Sequence, residues 1–260
     1  MAPKTKTQAQ DVLSIAHGKV TACILGTSPL IYNTMSAKTK AGLLIPAGKK
    51  TAAQKKSTLK HDVRREYRDS MYRRPGDHVP TRLIFDAAAF KGVLRTAALD
   101  LPIGVKRTEI GRLSWVVGQT IDVYGVPAMF MRVVRSADIA RTPDVRTRAI
   151  LPEWATVVTV QFVEPVISAT TIAQLLEFGG MTSGVGDFRQ EKGAGNYGQF
   201  RLCEPDDPDF KRIMAEQGRE AQDEAIRAAA PYDMETAELL DHYESEVEAR
   251  GMTGLLEAHA

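Results

Sequence analysis

The sequence has no apolar run long enough to span a bilayer. Its most hydrophobic stretch, Trp154 to Val163, is interrupted by Thr and Gln and falls short of the ~18 residues a membrane helix needs. Cysteine is almost absent. Cys23 and Cys203 are the only two, which excludes a disulfide framework, and without metal or redox spacing they read as buried or incidental thiols. The amino-terminal MAPKTKTQAQDVLS carries lysines but no following apolar core or cleavage site, so a secretory signal is not expected and a cytoplasmic location is. The histidines His17, His61, His78, His242 and His259 are scattered without metal spacing, and HExxH, GxSxG and Cys/His pairings are missing. These absences argue against an enzyme and call for neither cofactor nor metal.

What remains is a chain of 260 residues with an ordinary globular composition, 43% hydrophobic and 25% charged, long enough to bury a core. Its charge is unevenly placed. Residues 34–150 hold 23 Lys+Arg against 10 Asp+Glu, whereas residues 203–260 hold 5 against 16, a polarity that the net charge of +2 hides. A basic middle suits contact with a polyanion, and an acidic end suits a solubilising or partner surface.

Along the chain, a polar leader (1–18) gives way to KVTACILGTSPLIYN, which predicts a strand, a bend and a short continuation. Residues 34–80 form a long lysine- and arginine-rich insertion, of the kind that is functional, disordered or an added module. Within it, Val63, Tyr67 and Met71 recur every four residues and predict a helix over 61–74. Leu83 to Phe85 reads as a strand and Asp86 as the N-cap of a helix burying Phe90, Val93, Leu94 and Ala97, with Lys91 and Arg95 projecting together. Gly92 inside that helix implies a close approach by something at that point. The runs LSWVVG, IDVYGVP and AMFMRVV predict antiparallel hairpins, ATVVTVQFV a strand, and TTIAQLLEFGG a helix ending on a glycine cap at Gly179 and Gly180. After a strand in GQFRLCE, the break PDDPD opens two acidic helices joined at Pro231. The partition is a core of 19–204 with its insertion, followed by a helical extension of 205–260.

The stretch GGMTSGVGDFRQEKGAGNYGQFRL carries seven of the chain's 20 glycines. It is neither a dinucleotide fingerprint, since it follows a helix and lacks the glycine spacing, nor a P-loop, since GK[ST] is missing. A phosphate cradle, a hinge and a tight connection all stay open. In the cradle reading, Gly184, Gly186, Gly193, Gly195 and Gly198 let backbone N–H groups approach a sugar-phosphate chain beside Arg189 and Lys192. The insertion supplies Lys49, Lys50, Lys55, Lys56, Lys60, Arg64, Arg65, Arg68, Arg73 and Arg74, with Tyr67 and Tyr72 for base stacking, and Lys91 and Arg95 extend the track.

The order of these parts resembles the RAMP superfamily (repeat-associated mysterious proteins), the backbone subunits of CRISPR effectors. Lys91, Gly92, Leu94 and Arg95 match a family segment similar to IPGSSLKGALRSAAE, with Phe90 at a leucine position. Gly184, Gly186, Arg189, Gly195, Tyr197, Gly198 and Leu202 echo the family's closing glycine-rich turn. The resemblance covers roughly 19–204. It implies an RRM-like, ferredoxin-type βαββαβ core, an α+β fold whose antiparallel sheet carries helices on one face, a long basic insertion acting as a thumb, and copies stacked on a guide RNA held by backbone and shape. Some relatives cut target RNA with an aspartate after the first strand; SPLIYNTMSAKTKAG contains none, and an acidic helical tail is not part of that core.

The expected function is therefore a non-catalytic, oligomerising subunit that binds single-stranded nucleic acid, RNA above DNA, with other effector subunits as further partners. Three alternatives stand beside it: a self-assembling structural protein docking basic middle on acidic tail, a single-stranded DNA-binding protein of a phage or mobile element, and a metal-dependent ribonuclease using Asp62 or Asp69.

Overall fold

The structure, a computed structural model, describes residues 15–35, 37–45, 60–135, 141–191 and 195–252. Strand β1 (Ala16–Gly26) is central, flanked by β8 (Ala155–Glu164) and β9 (Phe200–Cys203). On the far side of β8 lie β4 (Ser114–Val116) and β5 (Thr120–Tyr124), with β3 (Ile84–Asp86) outermost on β5. All these pairings are antiparallel. Helix α3 (Ala87–Asp100) precedes β4 and β5, and α5 (Ala169–Thr182) joins β8 to β9. The centre thus reads β-α-β-β-α-β with spatial order β9-β1-β8-β5, the ferredoxin-type arrangement of an α+β fold. A second antiparallel sheet, β2 (Leu30–Ile31), β7 (Pro143–Leu151) and β6 (Ala128–Arg135), stands beside it.

Local chemistry accounts for these elements. The Asp86 carboxylate accepts the Ala88 N–H, so α3 starts where the sequence predicts, and its Phe90, Val93, Leu94 and Ala97 are buried. Ser168 caps α5 in the same way through Thr171 N–H. Within the insertion, α1 (Ala37–Leu44) and α2 (Val63–Asp69) form, the second capped by Asp62 and anchored by Val63, Tyr67 and Met71, all buried.

Several expectations are corrected. Gly179 and Gly180 do not end α5 but lie within it, buried: a Cβ at Gly179 would sit 2.4 Å from Val93 Cγ1, and one at Gly180 would sit 2.4 Å from the Phe200 carbonyl. The capping glycine is Gly184, with φ +62 and its N–H donating to the Gly179 carbonyl. Beyond its chain neighbours and its own helix backbone, no atom of the described residues comes within 4 Å of a Cβ built on Gly92, so its presence is not explained by packing among them. The runs in 113–134 do not pair as hairpins: β4 and β5 pair with β8, and β6 pairs with β7. Helix α4 (Arg107–Leu113) and β7 were not expected; in β7 the arginines at 146 and 148 mask an alternation that buries Ala149 and Leu151.

The acidic end forms three helices, because Gly218 breaks the first predicted one: α6 (Pro208–Glu216), α7 (Arg219–Arg227) and α8 (Met234–Ala249). Helix α6 lays Phe210 and Ile213 against Leu25 and Ala155, on the sheet face opposite α3 and α5. Helix α7 inserts Gln222, fully buried, whose Oε1 accepts from the N–H groups of Arg82 (2.7 Å) and Leu83 (2.9 Å) and whose Nε2 donates to the carbonyls of Val123 (2.8 Å) and Gly125 (3.1 Å). The carboxylates of this end pair with the basic middle of the same chain: Glu244 with Arg64 at 2.6 Å, Asp223 with Arg82 at 2.7 Å, and Asp233 with Arg132.

At the start of α2, His61 bridges two carboxylates, Nδ1 to Glu66 and Nε2 to Asp144, each at 2.8 Å, and Lys60 Nζ lies 2.7 Å from the same Asp144 oxygen. The bond to Glu66 raises the His61 pKa above its ordinary 6.5 against the opposing effect of burial. Burial disfavours the Asp144 charge, yet Lys60 and His61 hold that carboxyl down to about 2. Among the described residues, no helix is long and apolar enough to cross a membrane.

Three outcomes are expected of this packing. Gln222→Leu strands two N–H and two carbonyl groups and is expected to cost at least about 3 kcal/mol, read as a lowered urea midpoint. Gly179→Ala forces α5 off α3 and is expected to cost about 1–3 kcal/mol in the same assay. A His whose folded pKa is raised stabilises fully below its unfolded value and loses that contribution as pH rises through the folded one. The thermal midpoint is therefore expected to fall as pH rises from about 6.5 through the raised folded value of His61, and His61→Asn is expected to remove that contribution.

Candidate nucleic-acid interface

Residues 72–74 run antiparallel beside 82–84, tied by Ile84 N–H to the Tyr72 carbonyl (3.0 Å) and Arg74 N–H to the Arg82 carbonyl (2.9 Å). That backbone sets Tyr72 edge-on to Phe85, with ring centroids 5.8 Å apart, and within 6.3 Å of Tyr32. Tyr32 and Phe85 are buried and in T-shaped contact at 5.4 Å, whereas Tyr72 is 40% exposed. The buried pair acts as a rigid backing for one accessible ring. Burial pushes the Tyr32 hydroxyl pKa far up, and among the described residues that hydroxyl has no hydrogen-bond partner.

Three open grooves share Tyr72 in their walls. One of about 540 Å³ runs past Asp86 and Lys91 to Trp115. A second, about 650 Å³, is lined by Lys40, Arg73, Arg74 and Arg82. The third, about 350 Å³, reaches Asn33, Gly186 and Arg189. Three segments far apart in the chain, the basic insertion, the Lys91 helix and the glycine-rich stretch, thus meet at one aromatic side chain. Arg95, one turn beyond Lys91, opens onto a separate groove of about 550 Å³ with Arg107, Thr108 and Arg112. Among the described residues, none of these three guanidinium groups has a carboxylate partner.

The other candidates are placed as follows. Lys49, Lys50, Lys55, Lys56, Lys192 and Gly193 lie outside the described residues. Tyr67 is corrected from a stacking to a structural residue: it is 1% exposed and its hydroxyl donates to the carbonyls of Pro127 and Ala225. Arg64 is paired with Glu244, Arg68 donates to the Ile226 carbonyl, and Arg65 faces Asp69 at 3.7 Å. Lys60 is bound to Asp144, and Arg74 to Asp122 at 2.7 Å. Asp62 caps α2 and, like Asp69, is engaged; among the described residues no group of three metal-ligating side chains occurs.

The glycine-rich stretch is a tight connection. The N–H groups of Gly184, Val185, Asp187 and Gly198 donate to the carbonyls of Gly179, Gly198, Ile31 and Pro29, which corrects the reading for Gly184 and Gly198, whose N–H groups are used within the chain. A Cβ on Gly198, at φ +73, would lie 1.6 Å from the Val185 carbonyl oxygen. Arg148 fastens the turn to β7 through Asp187 and over the Phe188 ring at 5.6 Å. Arg189 donates to the Gly186 carbonyl and pairs with Glu191 at 3.2 Å, remaining on the groove wall. Sequence reasoning missed Lys40, Arg82, Arg107 and Arg112, which join the grooves only through the fold, and Trp115, which it took for a strand residue alone.

No family model matches the chain, and no curated protein does. Among solved structures, the crystal structure of Cmr6 from Pyrococcus furiosus aligns over 74% of this chain and 100% of that one, at 12% sequence identity and a TM-score of 0.35; a likeness this low carries no argument about function.

Proposed function

We propose that this chain is a non-catalytic subunit that binds single-stranded nucleic acid, RNA above DNA, and lines up in several copies along it. The observation that carries the reading is the meeting of three grooves at Tyr72, a half-exposed ring with Lys91 on one side, Arg189 on another and Arg73 and Arg74 on the third. A base stacks on a ring held in this way, and each groove offers at least one cation to the phosphates on either side of it, beside the carboxylates of Asp86, Asp187 and Asp223. The strand continues over α3 from Lys91 to the groove of Arg95, Arg107 and Arg112, where guanidinium groups without carboxylate partners repel one another until phosphate neutralises them. Docking of the acidic end on a neighbour is less favoured, since Asp223, Asp233 and Glu244 already serve arginines of their own chain. Cleavage is less favoured as well, because Asp62 is spent on a helix cap.

The test is fluorescence anisotropy with single-stranded RNA and DNA oligonucleotides of mixed sequence. Tyr72→Ala is expected to lose about 1–3 kcal/mol of binding, roughly a 5- to 150-fold weakening. Replacing both Arg107 and Arg112 by alanine is expected to weaken all sequences equally and to lower the slope of log K against log salt by about 1.4, roughly 0.7 for each phosphate no longer neutralised. Folded Tyr72→Ala protein that binds both oligonucleotides like the parent would overturn the reading.

A further inference from the structure

The chain's two cysteines, far apart in sequence, are brought directly opposite each other: Cys23 of β1 and Cys203 of β9 are register partners in an antiparallel pair. Directly opposed residues project from the same face of a sheet. Here it is the face of Leu25, next to α6, where both cysteines are partly buried beside Phe210 and Ile213.

The ladder also fixes which kind of pair this is. The N–H of Leu202 points off the sheet to Glu177 Oε2 at 2.7 Å, whereas Thr27 N–H bonds the Gln199 carbonyl at 2.9 Å. Alternation then makes Leu202 and Ile24 a non-hydrogen-bonded pair and Cys203 and Cys23 a hydrogen-bonded one. Such pairs hold their Cα atoms about 5.5 Å apart, within the range that disulfides span. Their Cβ atoms must draw in by roughly 1 Å. The place permits that movement, since the pairing of β9 with β1 ends at Cys203 and β9 is an edge strand.

We propose that Cys23 and Cys203 are a redox-sensitive dithiol that closes into a cross-strand disulfide when the chain meets a small-molecule disulfide of the oxidised-glutathione type. One protein thiolate attacks the oxidant's sulfur–sulfur bond, forming a mixed disulfide and expelling one small thiolate. The second protein thiolate then attacks the protein-bound sulfur, the cross-strand bond forms, and the second small thiolate leaves. Two protein thiols are oxidised, one small disulfide is reduced to two thiols, and the protons pass to the departing thiolates. Burial, helped by the Asp207 charge, raises the Cys203 thiol to about 11, and burial raises Cys23 as well. The pair therefore rests as thiols near neutral pH and closes under sustained oxidant. Closure staples β9 to β1 just after the glycine-rich turn, at the strand whose Phe200 packs under Gly180. None of these steps requires bound nucleic acid.

The experiment uses the full chain, incubated with excess oxidised glutathione, then denatured, titrated for free thiols and weighed by intact mass spectrometry. The expected result is loss of both thiols and of two hydrogen masses in a monomer, reversed by dithiothreitol, with hydrogen exchange slowed at residues 200–203. Cys23→Ser and Cys203→Ser, each keeping one thiol, are expected to stop at a single glutathione adduct. A parent protein that retains both thiols, carries two adducts, or forms only intermolecular disulfides would overturn the proposal.

Discussion

Two glycines in the last turn of α5 set the distances on which the rest of the molecule depends. At Gly179 the missing side chain lets Val93 and Ala97 of α3 come against the α5 backbone, and at Gly180 it lets the Phe200 carbonyl and ring do the same. One helix thereby fixes two things at once. It holds α3, and with it Lys91 and Arg95, and it holds β9 and the turn that leads into it. A protein interior has the density of an organic crystal, so a methyl group added at such a contact cannot be absorbed locally. The glycines at 184 and 198 continue the same logic into the turn, where chain lies against chain. The abundance of glycine in this stretch serves close packing, and the cations of the interface are delivered as a consequence.

The acidic end belongs to the same body. Gln222 substitutes for a neighbouring strand at the edge of the sheet, satisfying two N–H groups of the β3 approach and the carbonyls of Val123 in β5 and Gly125 after it with one amide. Around it, the pairs of Arg82 with Asp223 and Arg132 with Asp233 fasten α7 and α8 to the basic middle. These pairs are half-exposed, so their part is orientation more than stability. They also sort the arginines of the middle. Those facing α7 and α8 are neutralised in place, while Arg95, Arg107 and Arg112 make no ion pair with a carboxylate among the described residues.

Much of the central fold was legible because its signals are local. Asp86 announces a helix start, the spacing of Phe90, Val93, Leu94 and Ala97 gives a face, and β-branched residues mark β8. Strand β7 was not legible, since Arg146 and Arg148 stand among its inward residues, and Arg148 is needed there to hold Asp187 and Phe188. Gly179 and Gly180 misled because a glycine that ends a helix and one that admits a neighbour look alike in one sequence; only the contact with Val93 and Phe200 distinguishes them. Of the interface, the cationic segments were visible, but the difference between Tyr67 and Tyr72 was not. Both sit among arginines, and what separates them is the tertiary fact that Tyr67 faces the carbonyls of Pro127 and Ala225 while Tyr72 rests on Phe85.

Gly92 joins the packing of the fold to the chemistry of the interface. It costs α3 about 1 kcal/mol relative to alanine, and within the described residues no atom comes close enough to require it. Its neighbours on the helix are Lys91, which lines the Tyr72 groove, and, after three residues, Arg95, which lines the arginine groove. Lys91 and Arg95 rise about 6 Å along one face, so Gly92 sits in the turn of helix between the residue that lines the Tyr72 groove and the one that lines the arginine groove. Under the function proposed above, the glycine that the fold leaves unexplained is one over which a sugar-phosphate chain passing from Tyr72 to Arg95 would run.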